Sequence, residues 1–143
     1  MAFKTWTMPT SLRGARGMNK NQVSVLYRDN ALKCDKSTAY TMTLNVDITK
    51  SAYEKGITKI SFATDDITGE VAFILKRDEG LQMQVNGKKG QQRINLTVAS
   101  KFAIGKLYEE LGLQKGNYYI LDISDNKSVR DDVMFFIIKR PQL

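Results

Sequence analysis

Histidine is missing from this chain of 143 residues, and cysteine occurs once, at Cys34. Without histidine, the commonest general base near neutral pH and the commonest metal ligand are both gone. That excludes the usual zinc sites and the Ser-His and Cys-His nucleophile pairs. A single thiol cannot close an internal disulfide, so nothing argues for an oxidising compartment. No apolar run approaches the roughly 18 residues of a membrane span, and the first residues lack the apolar middle of a signal peptide. A cytoplasmic protein with no membrane partner is therefore expected. Gly14-Ala15-Arg16-Gly17 lacks the Lys-Ser/Thr ending of a phosphate-binding loop. The acidic pairs Asp65-Asp66, Asp78-Glu79, Glu109-Glu110 and Asp131-Asp132 fall mostly in expected turns and read as solvated surface. No enzymatic activity, cofactor or metal is expected.

Proline is confined to Pro9 and Pro141, which leaves the middle of the chain free to form regular structure. What is present in excess is positive charge. The net charge is +7, and it is uneven: +5 over residues 1–38, −2 over 39–80 and +4 over 81–143. A basic arm beside a nearly balanced middle points to a polyanionic partner rather than to uniform solubilisation. Residues 1–21 contain Lys4, Arg13, Arg16 and Lys20, no acidic side chain and no periodicity. They read as a loosely packed arm suited to phosphates, although Phe3 and Trp6 are out of place in a plain tail and suggest docking on the body or on a partner.

Alternation predicts strands at 23–27, 39–46, 58–63, 70–77, 81–85, 93–98, 118–123 and 133–140. Helices are expected at about 49–55, ended by Gly56, and from Ser100 as N-cap to Gly112, with Phe102, Ala103, Leu107, Tyr108 and Leu111 as the apolar face of the second. The same order of elements appears twice. Leu44-Asn45-Val46 corresponds to Leu96-Thr97-Val98, and Phe73-Ile74-Leu75-Lys76-Arg77 to Phe136-Ile137-Ile138-Lys139-Arg140. The expected fold is α+β and β-rich: a basic arm over 1–21 and two similar ββαββ units, 22–80 and 81–143, packed as a pseudo-twofold β body.

The alternating strand ending at Val98, the helix after it, and the turn Leu111-Gly112-Leu113-Gln114-Lys115-Gly116-Asn117 resemble the AbrB-like swapped-hairpin family. Asn117 stands where that family has Asp, and Ala99 where it often has Pro. A fused double copy is similar to the MraZ-type branch, whose acidic-x-x-x-Arg signature is not evident here. The resemblance implies a symmetric β body that binds DNA through basic loops and hairpins, as a transcription regulator would.

Matched by position, the candidate loops carry Arg28, Lys33 and Lys36 in the first half, and Lys88, Lys89 and Arg93 in the second. With Arg13, Arg16 and Lys20 of the arm, these are the expected nucleic-acid-binding residues. Lysines on a glycine-flanked tip approach phosphates, and Arg93 could reach a phosphate or a guanine edge. Two alternatives stay open. A barrel-type single-strand binder would stack bases on Tyr27, Tyr40, Tyr118 or Tyr119, residues that core packing also claims. A small regulator or inhibitor would bind a protein partner instead. A homo-oligomer is compatible with all three.

Overall fold

Alternating apolar side chains build two antiparallel sheets in the computed structural model, which describes residues 18–29, 38–86 and 95–141. The elements in chain order are β1 (Gln22–Arg28), β2 (Ala39–Leu44), α1 (Val46–Glu54), β3 (Lys59–Thr64), β4 (Val71–Lys76), β5 (Leu81–Gln82), β6 (Gln84–Asn86), β7 (Asn95–Ala99), α2 (Lys101–Leu111), β8 (Tyr118–Asp122) and β9 (Met134–Ile138). The first sheet has the order β6-β7-β2-β1-β8 and the second β5-β3-β4-β9. The protein is thus α+β and strand-rich, as expected.

The sheets are joined at both sides. Between β5 and β6 only Met83 intervenes, and its N–H donates to the Thr58 carbonyl at 2.8 Å. One bent segment therefore serves both sheets. On the other side Ile123, just after β8, bridges to Ile138 of β9. Ser124 N–H donates to Ile137 O at 2.9 Å, and Lys139 N–H to Asp122 O at 2.8 Å. A single apolar cluster fills the space between, with Val25, Met42, Phe73, Leu96 and Leu121 among its fully enclosed members.

Several expectations are corrected. The second strand ends at Leu44 rather than Val46, and α1 begins at Val46 rather than near 49. Asn45 is the reason: with φ −69° and ψ 170° its side chain accepts from Ile48 N–H and starts the helix. Thr97, by contrast, lies inside β7, so Leu44-Asn45-Val46 and Leu96-Thr97-Val98 do not occupy matching places. In α2, Ser100 caps as expected and Gly112 ends the helix at φ 68°. Phe102, however, is 80% exposed, and the buried stripe is Ile104, Leu107, Tyr108 and Leu111. That stripe follows the i, i+3, i+4, i+7 spacing, and Phe102, two residues before Ile104, falls roughly 200° away from it.

Tyr108 locks α2 to the first sheet. Its ring is fully buried, and its hydroxyl accepts from Tyr27 N–H at 3.0 Å and donates to Asn117 O at 2.5 Å. These bonds take over the ladder where β8 has ended. Gly105 makes the approach feasible, because a Cβ there would lie 3.2 Å from the Tyr27 ring. Burial pushes the Tyr108 hydroxyl up to about 12. A phenol whose folded value is raised stabilises the fold fully below its unfolded value near 10 and loses that contribution as pH rises towards 12. Tyr108→Phe should cost about 1–3 kcal/mol by leaving Tyr27 N–H and Asn117 C=O unpaired. Urea denaturation across pH 8–12 checks this: the variant should start lower and lose less stability over the alkaline interval.

Candidate nucleic-acid interface

One buried amide organises an end of the first sheet. Asn45 is 2% exposed. Its Oδ1 accepts from Ile48 N–H at 2.8 Å, while its Nδ2 donates to the carbonyls of Lys20 and Gln22, both at 2.9 Å. Beside it, Asn95 Nδ2 donates to Leu44 O at 2.7 Å, and Thr49 Oγ1 accepts from Leu96 N–H at 2.9 Å. The start of β1, the end of β2 and the start of β7 are thereby held together. Two strand spacings, about 10 Å, separate β1 from β7 across β2. Residues 1–17 connect to the described chain just before Lys20, and residues 87–94 just before Asn95.

Next to Asn45 lies a shallow depression of ≈490 Å³, lined by Asn19, Lys20, Asn21, Asp122, Ile123 and Lys139. Lys20 and Lys139 are exposed, and neither ammonium is in an ion pair among the described residues. Asp122 is occupied by Gln22, whose Nε2 donates to it at 3.0 Å. With two ammonium groups against one carboxylate, the lining carries a net positive charge.

The opposite end of the sheet is different. There Arg28 pairs in register with Ala39, at the two ends of the connection spanning 30–37. Because β2 and β7 are antiparallel, with Thr41 opposite Ala99, this end lies roughly 17–20 Å from the Asn45 end at the strand rise per residue. Arg28 is half-buried and engaged. Lys101 pairs with Asp29 at 3.5 Å and sits 5.7 Å from the Tyr40 ring centroid. Lys115 pairs with Glu109 at 3.5 Å and sits 5.0 Å from the Tyr27 ring centroid. Among the described residues, Lys101 and Lys115 at this end are thus each answered by a carboxylate and a ring.

Of the expected site residues, Lys20 stands in the positive depression and Arg28 at the opposite end. Arg13, Arg16, Lys33, Lys36, Lys88, Lys89 and Arg93 lie outside the described residues. Sequence reasoning does not single out Lys139 or Asn45. Asn45 has a readable signal, an amide three residues before Ile48 at the end of an alternating run. Lys139 has none, since only tertiary structure brings it to Lys20. Of the tyrosines considered for stacking, Tyr27 is buried and Tyr40 and Tyr119 pack against the core, leaving Tyr118 43% exposed. Among the described residues no group of three or more carboxylate or cysteine side chains is placed to hold a metal ion, and no helix is long and apolar enough to cross a membrane.

Asn45→Ala should destabilise the protein by about 1–3 kcal/mol, because it removes the α1 cap and leaves two carbonyls without their donor. Asn45→Asp keeps the cap and loses only the donors. Amide exchange should then quicken around residues 20–22 in the Asp variant while the first turn of α1 stays protected. No family model matches the chain, and neither a curated protein nor a solved structure matches it.

Proposed function

We propose that this chain is a non-enzymatic nucleic-acid-binding protein acting on double-stranded DNA, as a regulator would, by contacting phosphates from the Asn45 end. The observation that carries the reading is the shared anchoring of Lys20 and Asn95 beside two ammonium groups, of Lys20 and Lys139, that have no ion-pair partner among the described residues. The segments attached there hold Lys4, Arg13 and Arg16 on one side and Lys88, Lys89 and Arg93 on the other, with no acidic residue in 1–21 or 87–94. Phosphate recognition needs such a concentration of lysine and arginine and no catalytic group. Tyr27 is buried and Tyr40 and Tyr119 are partly buried against the core, so of the four strand tyrosines only Tyr118 offers a largely open ring for base stacking, which favours duplex over single strand.

In this reading the body is a duplication, residues 22–80 and 81–143, with a pseudo-twofold axis. Several pairs support it. Arg77 Nε donates to Lys55 O at the end of α1, and Arg140 Nη1 donates to Glu110 O at the end of α2, both at 2.6 Å. Phe73 and Phe136 are cross-strand partners with ring centroids 5.0 Å apart. Thr43 and Thr97 are likewise partners, and their hydroxyls meet at 3.2 Å. Each helix is followed by a positive-φ glycine and a buried aliphatic residue, Gly56-Ile57 and Gly112-Leu113. Such pairing favours a duplicated body, the arrangement that the swapped-hairpin resemblance implies.

Fluorescence anisotropy with labelled duplex and single-stranded DNA of equal length tests the reading. Duplex should bind more tightly, with affinity falling as salt rises. Lys20→Ala and Lys139→Ala should each weaken binding and reduce the salt slope by about 1, because one phosphate fewer is neutralised in each variant. Single-strand preference would move the function to the barrel-type alternative, and no binding at low salt would overturn it.

A further inference from the structure

Among the described residues, β3 is paired along its whole length on one side and only at one end on the other. On its outer side β5 pairs only with Lys59 and Ile60. Antiparallel ladders alternate in the direction of their hydrogen bonds. Thr58 O accepts from Met83 on the β5 side, and Asp65 N–H donates to Glu70 O on the β4 side. Ile60, Phe62 and Thr64 therefore direct their backbone groups away from β4. Ile60 meets Leu81 there, but no strand among the described residues lies beside Phe62 and Thr64. Gly80 explains why pairing stops. At φ 121°, with an added Cβ only 2.5 Å from Ile60 O, the chain crosses against β3 and turns away.

The open edge forms one wall of a groove of ≈580 Å³ between β3 and α2. Phe62, Val71, Leu81, Phe102 and Leu107 make it largely apolar. Phe102 and Leu81 are 80% and 41% exposed, an unusual display of apolar surface beside an unpaired edge. Asp66 and Glu110 outnumber Lys106 on its rim.

The geometry points to an occupant within this chain: residues 3–8, added as a strand along Phe62 and Thr64, with the Trp6 ring against Phe102 in the groove. Phe3-Lys4-Thr5-Trp6-Thr7-Met8 is rich in strand formers and holds apolar groups that neither phosphate binding nor the described core uses. Its charge, from Lys4 and with no acidic residue nearby, complements the rim. The span is adequate. Asn21 bonds to Ile123, Ile123 bridges to Ile138, Ile138 is opposite Val71, and Val71 is opposite Thr64. Steps of one strand spacing put Thr64 about 20 Å from Asn21, and the ten residues from 8 to 18 reach up to about 33 Å. Backbone pairing supplies affinity and the side-chain groove supplies register, as in other strand additions. In this arrangement Lys4 belongs to the groove, while Arg13, Arg16 and Lys20 lie outside residues 3–8 and stay available to phosphates.

Trp6 is the only tryptophan, so intrinsic fluorescence of the full chain without nucleic acid reports on it directly. Emission should lie at shorter wavelength, and acrylamide quenching should be several-fold weaker, than for a peptide of residues 1–17. Phe102→Glu leaves the core untouched, and Thr64→Pro removes an edge donor. Each should return both signals towards those of the peptide while circular dichroism stays unchanged. Across a dilution series the signal should be constant. Peptide-like emission in the parent chain overturns the inference, as does a shifted emission that neither substitution changes. A shift that appears only as light scattering reports a dimer assigns the groove to the arm of a second copy and overturns docking within one chain.

Discussion

Unpaired backbone at strand edges is the constraint around which this fold is arranged. A sheet edge exposes a row of donors and acceptors that invite another strand. Here one bent segment around Met83 is shared by both sheets, and the Ile123–Ile138 bridge ties their other borders. Where a strand runs out before its neighbour, a side chain replaces it: the Tyr108 hydroxyl serves Tyr27, and Asn45 serves the chain entering β1. Among the described residues the outer half of β3 lacks such a cover.

Charge is distributed by a similar logic. Arg77 and Arg140 are engaged at the carbonyl ends of α1 and α2, where cations offset the helix dipole. Lys101 and Lys115 lean on Asp29, Glu109 and tyrosine rings. Beside the Asn45 junction, by contrast, Lys20 and Lys139 are exposed and have no ion-pair partner among the described residues. A positive net charge spread over a sequence thus becomes a directional feature only after tertiary contacts have neutralised part of it.

Local signals are legible in the sequence where a single residue decides local geometry. Ser100 and Gly112 bracket α2 because a hydroxyl cap and a left-handed glycine act within one turn. Strand alternation locates nearly every β element. It misplaces the start of α1, because Val46 continues the alternation of β2 and the cap at Asn45 outweighs it. Hydrophobicity alone puts Phe102 in the core, whereas helix phase, set by Ile104 and Tyr108, turns it outward.

Composition and spacing alone determined the α+β, strand-rich character, the absence of histidine-based chemistry and the concentration of basic residues in the arm and in 87–94, since each depends on residue identity and short-range periodicity. Tertiary structure decided which strands are neighbours, that the connections 30–37 and 87–94 leave from opposite ends of one sheet, which cations are already paired, and that the β3 edge is open among the described residues. These are contacts between residues far apart in the chain, such as Asn95 with Leu44 or Lys139 with Asp122. Antiparallel pairing fixes them through register and packing, which no local stretch encodes.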